Sequence, residues 1–289
     1  MFERILIPVD GSPESDRAAG YALALAGAFD AAVDVLAVLD SSEVPAVFDE
    51  GPTGERVASA VRTDALAALD AVGERAAALG VPATESVVVG HPTEAILDAA
   101  ETSEAGLVVL AAHPRGRLAR FLRRSLAEQV ARYAPVPVLT VAGPPTAAPP
   151  TFDRILLATD GGESARHARW WAFGLARAFG ATVSGLYVVE TRLGSSGGLR
   201  DLLERRGDAV AREIRVQGAR TGVEVDTATR EGDPAHEIPA FAAERGVDLI
   251  VLGTHGRMGL DRLVMGSVAT SVVRTADRPV LTVRPTPRE

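Results

Sequence analysis

The sequence contains no cysteine. This absence excludes disulfides, thiolate metal sites and cysteine nucleophiles. Lysine is absent as well, so all 30 basic side chains are arginines. A Walker A lysine, a kinase strand lysine and a Schiff base are therefore excluded, and any phosphate contact must come from arginine, backbone amides or hydroxyl groups.

Long apolar runs are lacking too. No run of about 18 uncharged apolar residues occurs, which predicts no membrane span. Residues 1–7 show neither a basic start nor a small-residue cleavage site, so we predict no secretion signal. We therefore expect a cytoplasmic protein whose partners do not include a membrane.

The charge balance argues against general nucleic-acid binding, because the net charge is −8. The charge is also unevenly distributed. Residues 1–143 carry 11 arginines and 20 acidic side chains, a net charge of −9. Residues 144–289 carry 19 arginines and 18 acidic side chains, a net charge of +1. The second half is therefore the better environment for a polyphosphate.

An internal repeat is the most informative feature that is present. Residues 2–11, Phe-Glu-Arg-Ile-Leu-Ile-Pro-Val-Asp-Gly, match residues 152–161, Phe-Asp-Arg-Ile-Leu-Leu-Ala-Thr-Asp-Gly, at an offset of 150. From Gly90 and Gly232 onwards the offset is 142, so the first copy has eight extra residues, most simply around positions 41–56. The chain therefore consists of two copies of one unit.

A proline-rich stretch separates the copies. Four of its seven residues, 144–150, are proline, which predicts a stiff, extended spacer of roughly 3 Å per residue. We predict a first domain over residues 1–143, a linker over 144–150 and a second domain over 151–289.

Each copy has the pattern of alternating strands and helices. The apolar run Ile5–Val9 is typical of a strand buried on both faces, and Ser12 followed by Pro13 suits a helix N-cap and first turn. Such alternation predicts an α/β fold with two tandem Rossmann-like domains, each a five-stranded parallel sheet flanked by helices. Ligands of these sheets bind at the carboxyl ends of the strands, where the strand order reverses.

A glycine pattern follows the fourth predicted strand of the second copy. Gly253-Thr254-His255-Gly256 is followed by nine residues and then Gly266-Ser267, which gives G-x2-G-x9-G-S. Glycine lets the backbone approach a ligand without a Cβ in the way. Gly266 and Ser267 offer free amides and a hydroxyl at a predicted helix N-terminus, which favours anions. Arg257 in the loop can close over phosphates.

This pattern and the opening strand of each copy resemble the universal stress protein family over almost the whole chain. In that family G-x2-G-x9-G-S/T after the fourth strand is the ATP-binding signature. The resemblance implies HUP-type domains and ATP, accompanied by Mg²⁺, in the second copy. It implies that Ala158 and Asp160, which end strand one, line the adenosine pocket, and that Val188, which ends strand two, contacts the adenine through its backbone. It implies ribose and phosphate contacts from the signature. With Arg257 added for its charge, the predicted site comprises Ala158, Asp160, Val188, Leu252, Gly253, Gly256, Arg257, Gly266, Ser267 and Val268.

The first copy departs from the signature at every glycine. Its equivalents are Ala111, Pro114 and Arg124, and only the serine is kept, as Ser125. Proline cannot adopt a positive φ, and arginine adds a long side chain at the helix start. We therefore predict that the first copy does not bind ATP in the family manner, while a different ligand stays open.

Two kinds of function fit the resemblance. One is a stress-response binding or signalling module that depends on its nucleotide and has an unnamed protein partner. The alternative is a slow ATPase or an adenylyl- or phosphotransferase on the same fold. No general base and nucleophile stand out beside the signature, so no catalytic residue is predicted and the binding module is preferred.

The last strands predict how the copies assemble. Residues 138–141 and 280–283 are apolar and suit sheet edges, which invite pairing. In the family that the chain resembles, the final strand commonly pairs two domains. We therefore predict an intramolecular pseudo-dimer of the two copies, and leave open a further homodimer of whole chains.

Overall fold

The computed structural model describes residues 1–41, 52–112, 125–143, 150, 152–190, 197–254 and 265–284, without the side chains of 52–61, 197 and 199. The chain forms two compact units, Met1–Pro150 and Thr151–Glu289, called domain 1 and domain 2 below. The linker predicted over 144–150 lies outside the described residues except for Pro150.

Strands and helices alternate along domain 1. Its strands are β1 (Arg4–Val9), β2 (Ala32–Asp40), β3 (Ala83–Gly90), β4 (Leu107–Ala111) and β5 (Val138–Val141). Its helices are α1 (Pro13–Phe29), α2 (Pro52–Ala78), α3 (Pro92–Thr102) and α4 (Leu126–Tyr133).

Domain 2 repeats this order. Its strands are β6 (Arg154–Ala158), β7 (Thr182–Glu190), β8 (Val225–Gly232), β9 (Leu249–Gly253) and β10 (Val280–Val283). Its helices are α5 (Glu163–Phe179), α6 (Gly197–Thr221), α7 (Pro234–Arg245) and α8 (Ser267–Thr275). The offset is 150 at the ends of β2 and β7 and 142 at the starts of β3 and β8, so the extra residues of domain 1 lie between its second and third strands.

The strands of each domain are parallel. In domain 1 the order is β3-β2-β1-β4-β5, and in domain 2 the order β8-β7-β6-β9-β10 is equivalent. The chain moves in one direction from β1 to β3 and then crosses back to β4, so right-handed crossovers place α1 and α2 on one face and α3 and α4 on the other. The order reverses between β1 and β4, and between β6 and β9.

The central strands form the core of each domain. β4 is buried along its whole length, as is β1 apart from its first residue, because helices cover both faces of the sheet. A ring pair recurs at equivalent positions: Phe2 and Phe29 have centroids 4.9 Å apart, and Phe152 and Phe179 have centroids 4.5 Å apart. The repeat of the sequence is therefore also a repeat of core packing.

The predicted α/β class, the two Rossmann-like domains and their parallel sheets are confirmed. One prediction about the strands is wrong: Val188 does not end the second strand of domain 2. β7 continues to Glu190, because it pairs residue by residue with β8 as far as Gly232. No helix in the described part of the chain has the length and apolar character that crossing a membrane requires.

Candidate functional site

The carboxyl edge of the domain 2 sheet brings several predicted residues together. Ala158 ends β6 and lies in register with Leu252 of β9, and these two strands flank the point where the strand order reverses. On the other side, Ala158 is in register with Leu186, so Val188 lies two residues further towards the same edge. This is the place where parallel α/β sheets bind ligands.

The turn between β6 and α5 carries Asp160. The Asp160 side chain accepts a hydrogen bond from the Gly162 N–H, with 2.8 Å between the nitrogen and Oδ1. Gly161 has a φ of +73°, which favours glycine. Gly162 is the N-cap of α5 and makes no side-chain cap bond, because it has no side chain. The N-cap residue of α5 therefore contributes no capping side chain.

In the equivalent turn of domain 1, a serine side chain caps the helix. Ser12 is the N-cap of α1, and its Oγ accepts from the Ser15 N–H at 3.1 Å. The Ser12 N–H and hydroxyl both donate to Oδ1 of Asp10, at 2.9 and 2.5 Å. Ser15 Oγ donates to the Ser12 carbonyl oxygen at 3.1 Å. In domain 1 these side chains occupy the helix N-terminus that is uncapped in domain 2.

The same contrast holds at the start of the last helix. In domain 2, Gly266 is the N-cap of α8 and makes no side-chain cap bond. In domain 1, Ser125 is the N-cap of α4, and its Oγ accepts from the Glu128 N–H at 3.2 Å. Ser125 and Ser267 match in the repeat, yet Ser125 caps its helix whereas Ser267 is already the first helical residue of α8.

The expectation for the Gly266 amide needs correction. We expected this N–H to be free, but it donates to the carbonyl oxygen of Thr254 at 2.6 Å. The first bond of α8 itself runs from the Thr270 N–H to the Gly266 oxygen at 3.0 Å. The amides that remain for an anion are therefore those of the first helical residues, Ser267 and Val268 among them.

A glycine is needed at position 253 for a different reason from the one we expected. We expected its missing Cβ to admit a ligand. A Cβ built on Gly253 would lie 2.5 Å from the Ser164 Cβ, 2.8 Å from the Ser164 carbonyl carbon and 3.0 Å from the Ala165 nitrogen. The missing Cβ therefore admits the first turn of α5 against the end of β9. This contact brings the start of α5 to the carboxyl edge of the sheet.

Arginines surround this edge. Arg206 of α6 donates from Nη2 to the Gly161 carbonyl oxygen at 3.3 Å. Arg200 lies on the same helix and pairs with Glu204 and Glu231, and the pKa of its guanidinium is raised by the hydrogen bond to Glu204 first and by Glu231 next. Burial lowers the pKa of the Arg284 guanidinium, which directly follows β10. Arg200 and Arg284 stay positively charged at neutral pH.

Some predicted positions lie outside the described residues. These are Gly256 and Arg257 in the signature loop, and Pro114 and Arg124 in the matching loop of domain 1. Sequence reasoning also missed three residues that contact the predicted positions or the turn beside them, namely Gly162, Thr254 and Arg206. The replacement of Ser12 by Gly162 in the aligned repeat was a signal that could have revealed the first of them.

No metal cluster lies in the described part of the chain: no three of its histidine, aspartate and glutamate side chains come together in a way that could hold an ion.

Comparisons with known proteins place both domains in one family. The sequence profile of the universal stress protein family matches residues 1–142 and again residues 151–284. The chain belongs to the universal stress protein family. A universal stress protein of Mycolicibacterium smegmatis is 28% identical over 294 residues, and the match covers 97% of both chains. This relative is therefore about as long as the present chain.

Further universal stress proteins match one domain or the whole chain. One from Methanocaldococcus jannaschii is 34% identical over 145 residues, which cover 48% of this chain and 85% of that protein. The crystal structure of one from Archaeoglobus fulgidus superposes with a TM-score of 0.74 at 22% identity and covers 98% of this chain and 96% of that one. This likeness supports the fold over the whole chain.

Proposed function

We propose that this universal stress protein binds one ATP, together with Mg²⁺, at the carboxyl edge of domain 2. The nucleotide-dependent state then acts as a binding or signalling module in a cytoplasmic stress response. Domain 1 supplies no equivalent ATP site. The intramolecular pseudo-dimer and the homodimer stay predictions.

One observation carries this proposal. In domain 2 the two helices that begin beside the strand-order reversal, α5 and α8, have the glycine N-caps Gly162 and Gly266, without a side-chain cap bond. In domain 1 their equivalents are closed by Ser12 and Ser125. Uncapped amides and the helix dipole favour negative charge, so the difference favours a polyphosphate in domain 2.

The residues present suit a nucleotide. Ala158 is small and 5% exposed, and Leu252 beside it is 3% exposed, so apolar walls adjoin the polar turn at Asp160. Asp160 lies in the turn that follows the buried strand β6, and its carboxylate can accept a hydrogen bond from an amino group of a base. The amides at the start of α8 lie beyond the neighbouring strand. An apolar wall, one acceptor and an anion-binding helix start form the combination that a nucleoside phosphate needs.

The binding module is preferred to the enzyme on the chemistry of the same edge. ATP hydrolysis or group transfer needs a group placed to activate a nucleophile. Beside the strand-order reversal, the described residues offer amides, the Asp160 carboxylate, which is hydrogen-bonded within its own turn, and the Arg206 guanidinium. This set holds phosphates without activating water or a hydroxyl group.

Titration calorimetry of the purified chain with Mg·ATP tests the proposal. We expect a stoichiometry of one per chain, and the same ratio of adenine nucleotide released when the protein is denatured. The variant Gly266→Arg, which copies domain 1, should lose this binding. Ser12→Gly, which opens the α1 start in domain 1, is the matched control and should leave the stoichiometry at one.

Other results would contradict different parts of the proposal. Two nucleotides per chain would show that domain 1 is also competent. Binding retained by Gly266→Arg would show that the site lies elsewhere. Saturable turnover near 10 per second, a typical enzyme rate, would favour the enzyme instead.

A further inference from the structure

Arg206 is the arginine of domain 2 that touches the turn carrying Asp160. It lies on the exposed surface of α6 and donates to the Gly161 carbonyl oxygen at 3.3 Å. A Cβ built on Gly161 would lie 2.8 Å from Val210 Cγ2 and 3.6 to 3.7 Å from the Arg206 guanidinium nitrogens. The turn therefore packs directly on this part of α6.

The guanidinium of Arg206 makes no ion pair within the described part of the chain. Other arginines of the domain do: Arg169 pairs with Glu213 at 3.0 Å and Arg230 with Glu244 at 2.6 Å. An arginine has five N–H donors, and the bond to Gly161 uses one. Its charge is thus available to balance a neighbouring carboxylate or an anionic ligand.

Domain 1 has the opposite charge at this position. The offset of 142 matches Arg206 with Asp64 and Val210 with Ala68. The structure supports this alignment, because a Cβ on Gly11 would lie 3.6 Å from the Ala68 Cβ, as Gly161 faces Val210. The turn in domain 2 thus has a cation beside Asp160, whereas the matching helix position in domain 1 carries a carboxylate, Asp64.

We propose that Arg206 makes the domain 2 site selective for phosphorylated adenine ligands over the uncharged nucleoside, by offsetting the Asp160 carboxylate at the site's edge. This inference rests on the proposed function. An aspartate at the edge of a site repels an approaching polyphosphate, and a cation beside the same turn offsets that repulsion. Arg206 is a selectivity residue that acts through the local field and needs no contact with the ligand.

The test compares ATP with adenosine in wild type and in Arg206→Asp, Arg206→Gln and Arg206→Lys. At low salt, Arg206→Asp should weaken ATP binding by roughly three- to tenfold, while adenosine binding changes less than about twofold. Arg206→Gln should show about half the effect on a logarithmic scale, and Arg206→Lys should bind like wild type. In 0.5 M salt the loss for ATP should shrink below about twofold, because the charges are then screened.

The matched control is Arg212→Asp. Arg212 is exposed on the same helix, about 9 Å further along its axis. This variant has the same net charge as Arg206→Asp, so an unchanged preference for ATP shows that the effect is local. Because Arg206 is exposed, its variants are expected to fold, and the fluorescence of Trp170 and Trp171 on α5 checks this.

Equal losses for ATP and adenosine, independent of salt, would overturn the inference and make Arg206 a structural anchor of the turn. Unchanged ATP binding in Arg206→Asp would overturn it as well. In both cases wild type still binds ATP, so the proposed function stands. A wild-type chain that binds neither ligand would instead overturn the proposed function, and this inference with it.

Discussion

The backbone N–H of Gly266 donates to the carbonyl oxygen of Thr254, with 2.6 Å between nitrogen and oxygen. The Thr254 N–H in turn donates to the Val283 oxygen at 2.9 Å. The two ends of the glycine signature are therefore joined to each other and to the last strand of domain 2. The start of α8 is held in place by the fold and does not depend on a ligand to position it.

Gly266 is expected to matter because it lacks a side chain. Its φ is −65° and its ψ is 157°, an extended conformation that any residue adopts, so glycine is not required by the backbone. Gly266→Arg should fold and keep the bond to Thr254. Its side chain covers the start of α8, so ATP affinity should fall at least tenfold, about 1.4 kcal/mol, by titration calorimetry.

Gly266→Ala separates side-chain size from the loss of glycine itself. A single methyl group covers little of the helix start, so we expect this variant to keep most of the affinity. If Gly266→Arg binds ATP as tightly as wild type while its circular dichroism is unchanged, the helix start of α8 is not the phosphate site.

The matched serines of the repeat should respond in opposite ways. Ser125→Ala removes the cap of α4 and should lower the free energy of unfolding by about 1 kcal/mol, without changing ATP binding. Ser267→Ala removes a hydroxyl from the first helical residue of α8, which is not a cap, so stability should change by only a few tenths of a kcal/mol. ATP binding should weaken instead.

Urea unfolding followed by circular dichroism gives the first quantity, and calorimetry gives the second. The prediction is that each variant mainly changes one quantity: Ser125→Ala lowers the stability, and Ser267→Ala lowers the ATP affinity. If both serine variants lowered stability and neither changed ATP affinity, Ser267 would be an ordinary structural residue.

The internal repeat made much of the fold predictable. The helix start at Ser12, the packing of Gly253 and the end of β7 show which features the sequence could and could not predict. Ser12 was expected to cap α1 and does so, because an N-cap is a local interaction within a few residues. The role of Gly253 was not predictable, because its contact, the first turn of α5, begins about 90 residues earlier in the sequence. The true end of β7 depends on pairing with β8 through Glu190 and Gly232, which the local pattern around Val188 does not contain.

Gly162→Ser should cap the N-terminus of α5 as Ser12 caps that of α1. The new Cβ would lie 2.9 Å from Asp160 Oδ1, the end of a flexible side chain that can move aside. The hydroxyl is then expected to accept from the third amide of the helix, that of Ala165. Stability should rise by a few tenths of a kcal/mol, because a serine cap is slightly better than glycine.

The same substitution should weaken ATP binding, because a capped amide is no longer available and Asp160 has a new partner. Ser12→Gly in domain 1 is the reverse exchange, with a small loss of stability and no change in affinity. Calorimetry on both variants decides the point. Tighter or unchanged ATP binding in Gly162→Ser would mean that the start of α5 does not contribute to the site.

Gly253→Ala tests the packing of β9 against α5. The added Cβ would lie 2.8 Å from the carbonyl carbon of Ser164 and 3.0 Å from the nitrogen of Ala165, which are backbone atoms of the helix and cannot rotate away. We expect α5 to be displaced and the free energy of unfolding to fall by about 1 to 3 kcal/mol, the usual cost of overpacking. Because Trp170 and Trp171 lie on α5, their fluorescence in a urea titration follows this loss.

Two further variants test which atoms cause the clash at Gly253. Adding Ser164→Gly removes the 2.5 Å contact between the two Cβ atoms but leaves the backbone contacts, so the double variant should recover only part of the loss. Ala111→Gly in domain 1 is the matched control and should cost at most about 1 kcal/mol, the penalty for glycine inside a strand. An unfolding midpoint of Gly253→Ala equal to that of wild type would contradict the packing role, because the first turn of α5 would then have room for the methyl group.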